Sequence, residues 1–238
     1  MLSRSFFTLL LISLMVSEFL IGDVSGAPPG RNVNEKDING ETALHKAASD
    51  GRMKKAQRLI AEGADPNIGN DCNETALHYA AKKGHKSVTE VLSRKANDLN
   101  IKNDFNETSL HLAAMNGHGG VADVLLKNGA NADIGDDLNS TALHLAASGG
   151  HKNVAEVLLN KGANMDIMNH FNNTPLHYAA INGHKNVAEL LIKKGAKVDI
   201  RNDANLTPRQ LAVNNDHNDV ARLFIGKGNR INIEELLE

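Results

Sequence analysis

Eleven histidines are the residues of this 238-residue chain best suited to chemistry, as metal ligands or general bases. Ten of them fall in two periodic rows. His45, His78, His111, His144 and His177 stand three residues after a threonine, and His85, His118, His151, His184 and His217 stand ten after it, each step being 33 residues. Equivalent side chains of stacked helices lie about 10 Å apart, whereas zinc needs ligands about 2 Å from a single point. The rows therefore predict no metal centre; they predict imidazoles hydrogen-bonded within their own turns. His170, outside both rows, reads as a solvated loop residue. Gly117-His118-Gly119-Gly120 and Gly226-Lys227-Gly228 match neither a dinucleotide nor a phosphate loop. No Gly-x-Ser-x-Gly elbow occurs, and the acidic residues are spread by the period. These features argue against an enzyme and call for no cofactor. The single cysteine, Cys72, excludes an intramolecular disulfide framework and a cysteine zinc module. It reads as an unpaired thiol in a monomer, with a disulfide dimer as the alternative.

The elements that position these rows follow from the same period. Thr42, Thr75, Thr108, Thr141, Thr174 and Thr207 are spaced by 33. Threonine is a good helix N-cap, and Pro175 and Pro208 occupy the first helical position, where a missing N–H costs nothing. A short alanine-rich helix follows, with pairs such as Ala47-Ala48 and Ala146-Ala147, and Gly51, Gly84, Gly117, Gly150 and Gly183 end it. A second helix carries apolar residues at i, i+3 and i+4, as in Val154, Val157 and Leu158. Gly63, Gly129, Gly162, Gly195 and Gly228 close it before a hairpin loop. Three departures stand out. Ala96 replaces a closing glycine, which predicts either strain there or a left-handed Asn97. The last unit reads Thr207-Pro208-Arg209-Gln210 with Asp216 in a glycine position, a polar cap. Val33 to Gly40 forms a hairpin with no helices before it.

The phrases Thr42-Ala43-Leu44-His45, Thr75-Ala76-Leu77-His78, Thr108-Ser109-Leu110-His111, Thr141-Ala142-Leu143-His144 and Thr174-Pro175-Leu176-His177 resemble the ankyrin repeat in wording and in period. The resemblance implies an all-α solenoid of helix-turn-helix units with hairpin loops. Its units run over 42–74, 75–107, 108–140, 141–173 and 174–206, with a degenerate capping unit at 207–238 and an N-terminal segment and first hairpin at 27–41. It also implies a protein partner held by the hairpin tips and the inner helix surface.

Composition fits such a stack. Hydrophobic residues make up 41% of the chain but aromatics only 3%, so the core must be thin layers of Ala, Leu, Val and Ile. A net charge of −2 gives no basic footprint for nucleic acid. At the start, Arg4 precedes an apolar run from Phe6 to Val16 and small residues around Val24-Ser25-Gly26-Ala27. This pattern reads as a secretory signal peptide, residues 1–26, too short to span a bilayer. The ending Glu235-Leu236-Leu237-Glu238 carries no retention signal, and the expected destination is outside the cell.

Two periodic features could carry function. Three before each threonine stand Cys72, Phe105, Leu138, Phe171 and Ala204; seven after it stand residues including Met115 and Ile181. Phe105, Met115, Leu138, Phe171 and Ile181 are expected on one concave face, rimmed by the acidic row Asp71, Asp104 and Asp137, continued at Asp203 after His170 breaks it. Apolar anchors with a charged rim suit a protein partner. The plain alternative is packing of Phe105 and Phe171 along the hairpin stack. Asn73, Asn106, Asn139, Asn172 and Asn205 fall two before the threonine, each in an Asn-x-Thr glycan acceptor. Asparagine also suits a left-handed turn, which is the alternative reading. The functional expectation is a secreted, non-catalytic binding protein of venom or effector type. A glycosylated structural or defence protein is the second reading, and a membrane-active toxin a weaker third.

Overall fold

The computed structural model describes residues 32–225. The expected signal peptide, Gly228 and the end of the capping unit lie outside them. Twelve α-helices occur among the described residues: α1 Ala43–Ser49, α2 Met53–Ala61, α3 Ala76–Lys83, α4 Lys86–Ser93, α5 Ser109–Met115, α6 Gly119–Lys127, α7 Ala142–Ser148, α8 Lys152–Asn160, α9 Pro175–Ile181, α10 Lys185–Lys194, α11 Pro208–Asn214 and α12 Asn218–Ala221. A 3-10 turn, Arg222–Phe224, follows. Helices of four to ten residues are too short to persist alone. They persist by packing, the odd-numbered helices on one another in one layer and the even-numbered ones in a second. Strands are absent among the described residues; the hairpins add only the isolated bridges Gly69–Thr75 and Gly135–Thr141.

The core runs along the stack between these layers. Leu44, Leu77, Leu110, Leu143 and Leu176 are buried at one equivalent position, and the alanine pairs let the inner helices approach closely. From the other layer come Val88 and Leu92, Val121 and Leu125, Val154 and Leu158, and Val187 and Leu191. Each buried leucine contributes about 2 kcal/mol of transfer free energy. Among the described residues, the only phenylalanine in the core is Phe224, in the last repeat.

Each inner helix starts at its threonine, in extended backbone (φ −82° to −92°), with Pro175 and Pro208 at the first helical position as the sequence predicts. The closing glycines of both helices adopt positive φ, and Asp216 takes the same conformation (φ +59°) where its unit lacks the glycine. Ala96 behaves otherwise. Neither it nor Asn97 is left-handed: α4 stops early, at Ser93, and the Lys95 and Ala96 N–H groups both donate to the Leu92 carbonyl. A tighter turn thus replaces the strain expected there. The first hairpin closes through Gly40 N–H to the Asp37 carbonyl and joins the next through Asp71 N–H to the Asn39 carbonyl.

Candidate binding face

The hairpins are built by asparagine. In the second unit, the Asn70 side-chain oxygen accepts the N–H groups of Cys72 and Glu74, which folds the turn around the tip. Asn103, Asp136, Asn169 and Asn202 do the same in the later units. Asn73, Asn106, Asn139, Asn172 and Asn205 then supply the left-handed residue, at φ +55° to +60°. Turn chemistry is therefore their structural role, and their exposed side chains remain on the surface.

Successive tips touch. The Asp104 N–H donates to the Cys72 carbonyl, His170 N–H to Leu138 and Asp203 N–H to Phe171. Side chains add rungs: Asn73 Nδ2 donates to Asp104 at 2.6 Å, Asn172 Nδ2 to Asp203 at 2.6 Å, and Asn106 Nδ2 to Asp137. Where His170 breaks the acidic row, Asn139 Nδ2 turns to the Met168 carbonyl instead. Asp104 and Asp137 thus belong to the hairpin framework, and Asp71 lies against Gly40, with no room there for a side chain.

On this framework the tip side chains project outward. Phe105 is 64% exposed and Phe171 49%, so packing along the hairpin stack does not bury them. Leu138, between them, is exposed, as is Met115 at the end of α5. Ile181 at the end of α9 is half-buried, and Ser148 of α7 stands between it and Met115 in the stack. Cys72 is a free, exposed thiol at the neighbouring tip. Met168, also exposed, was not singled out by the sequence pattern; it stands six before Thr174, where other units carry lysine, arginine or glycine.

The histidines hold the face from behind. In the first row Nδ1 accepts the N–H of the threonine three residues earlier, as between Thr141 and His144 at 3.1 Å. The other ring nitrogen leaves the turn: His45 Nε2 donates to the Glu74 carbonyl of the next unit at 2.9 Å, and His144 Nε2 to Asn173 at 3.0 Å. The second row crosses in the opposite direction, His85 Nε2 donating to Ser49 and His151 Nε2 to Met115, both at 3.0 Å. Bonding confined to each histidine's own turn is thereby corrected: both rows tie repeats together. Burial pushes His78, His144 and His177 down to about 4 and lowers His45 and His111. No group of three or more potential metal ligands occurs among the described residues.

Short stacked helix pairs with an exposed apolar hairpin row define a helical-repeat interaction scaffold. A family model described as ankyrin repeats (3 copies) matches residues 13–103, 91–169 and 161–235, and the chain belongs to that family. Among curated proteins, none matches it. Ankyrin repeats are protein-interaction modules, and no helix among the described residues is long and apolar enough to cross a membrane.

Proposed function

We propose that the protein is a secreted, non-catalytic monomer that sequesters a protein partner through the face formed by its hairpin tips and inner helices, in the manner of a venom or effector-type inhibitor. The observation that carries this reading is the row Phe105, Leu138 and Phe171, solvent-exposed on three consecutive hairpins in a chain that has few aromatics. Exposed aromatic anchors of this kind dominate binding energy where a partner desolvates them. Met115 extends the row onto α5, and Asp71, Asp104 and Asp137 give it an acidic rim suited to a partner with basic edges. The basic, apolar and small-residue pattern of residues 1–26 supports export, and export makes Asn73, Asn106 and Asn139 usable glycan acceptors. Asn172 and Asn205 are the poorer acceptors, because Pro175 and Pro208 follow their threonines. Binding then falls to the repeats that stay bare.

The test is affinity capture from candidate target tissue with the wild type and a Phe105→Ser, Leu138→Ser, Phe171→Ser variant. The wild type should retain a partner that the variant loses. Recovery of the same proteins by both would exclude this face.

A further inference from the structure

All five first-row histidines have both ring nitrogens committed. The N–H groups of Thr42, Thr75, Thr108, Thr141 and Thr174 donate to Nδ1 at 3.0–3.1 Å. The carbonyls of Glu74, Glu107, Ser140, Asn173 and Leu206 face Nε2 at 2.9–3.3 Å. A backbone N–H can only donate and a carbonyl can only accept, so the neutral imidazole with its proton on Nε2 is the one form that satisfies both. The threonine hydroxyl also lies 2.8–2.9 Å from Nδ1 and can accept from a protonated ring, but the backbone N–H beside it cannot. Either the threonine N–H loses its partner at the helix N-cap or the ring must leave. The carbonyls that would be released lie two residues after the tips Cys72, Phe105, Leu138, Phe171 and Ala204. The sixth unit is built otherwise: Gln210 Oε1 accepts the Thr207 N–H at 3.0 Å, a bond with no proton to gain in this range.

We infer that this histidine ladder is an acid-release device: its rungs hold only as neutral rings, so acidification favours states in which the rings have left their turns, opening the ties between consecutive repeats and freeing the hairpins that carry the exposed row. This goes beyond the binding reading and stands without it. The groups facing the rungs do not reverse the effect. Glu41 and Asp37 favour a proton on His45 and Lys36 opposes it; Asp136 and Glu107 favour one on His111, and Asp136 on His144. His45 and His111 oppose a proton on His78, and His177 opposes one on His144. His177 itself meets backbone carbonyls, and the Tyr79 and Tyr178 rings stand edge-on to His45 and His144. Burial outweighs the carboxylates at every rung. Because the folded state holds these rings neutral while the unfolded chain protonates near pH 6.5, the unfolded state binds more protons between about pH 6.5 and 4. Stability therefore falls as pH drops through that window.

The full chain and a His45→Gln, His78→Gln, His111→Gln, His144→Gln, His177→Gln variant, which copies the Gln210 arrangement at every rung, are unfolded in urea at pH 7.5 and 5.0 and followed by far-UV circular dichroism. In the wild type each rung at about 4 raises the unfolding constant about 30-fold over that interval. The variant should keep only the loss due to other groups; an equal loss in both would overturn the inference. If the variant does not fold, nitrogen-15 NMR of the wild type at pH 5.5 decides. An unprotonated Nδ1 at the five rungs is expected, and a protonated Nδ1 in the intact stack would refute the device.

Discussion

Gly150→Ala measures how tightly consecutive repeats approach. Gly150 sits at φ +68°, and a Cβ there would lie 2.6 Å from Nδ1 of His184, inside any real contact. The left-handed conformation alone costs an alanine about 1 kcal/mol. Relieving the contact requires moving the His184 ring, whose Nε2 donates to the Ser148 carbonyl at 2.9 Å, and losing that bond costs about 1 kcal/mol more. The expected total is about 2 kcal/mol. Gly162→Ala is the control, since Gly162 has φ +86° and nothing within 4 Å of a new Cβ, leaving only the backbone cost of about 1 kcal/mol. Urea unfolding followed by circular dichroism at pH 7.5 reads both. A clearly lower midpoint for Gly150→Ala is expected. Equal midpoints would show that the second histidine row does not lock one repeat against the next.

Other substitutions check further parts of the stack. Gln210→Ala removes the acceptor for the Thr207 N–H and should cost about 1 kcal/mol, seen as faster amide exchange confined to α11 and α12. Ala96→Gly should destabilise by about 0.5 kcal/mol through the unfolded chain, because no positive φ is present for glycine to relieve; a rise in melting temperature would contradict the tight turn. Phe105→Ser should shift stability by no more than about 0.5 kcal/mol, since the ring packs on little, so a large loss by calorimetry would mean that it belongs to the core. Glycosidase treatment of protein secreted from eukaryotic cells should increase electrophoretic mobility, and an unchanged mass would remove the glycans from the account.

Much of this architecture is legible in the sequence because a repeat writes the same physical problem six times. A threonine, an alanine pair and a glycine at fixed offsets determine the cap, the close approach and the turn, and the structure places them accordingly. The direction of the histidine bonds is not legible. Period and residue type cannot say whether a ring nitrogen ends in its own turn or reaches a carbonyl 29 residues on, as His45 does at Glu74. Gln210 shows the same limit: its side chain takes over half of the histidine's task, which its polarity alone does not reveal. At Ala96 the pattern suggests strain, but shortening α4 offers a cheaper solution that only neighbouring backbone could disclose. Among the candidate contacts, the exposure of Phe105, Leu138 and Phe171 follows from their place at the tips. The use of Asp104 and Asp137 as rungs requires knowing that their partners come from the preceding hairpin.

Partner binding by the hairpin row is read most directly from the affinity of the captured partner for the wild type and for the Phe105→Ser, Leu138→Ser, Phe171→Ser variant, by titration calorimetry at neutral pH. Two aromatic anchors of about 2 kcal/mol each predict a loss of about 700-fold with the fold intact. Affinities within about twofold of each other would contradict the account.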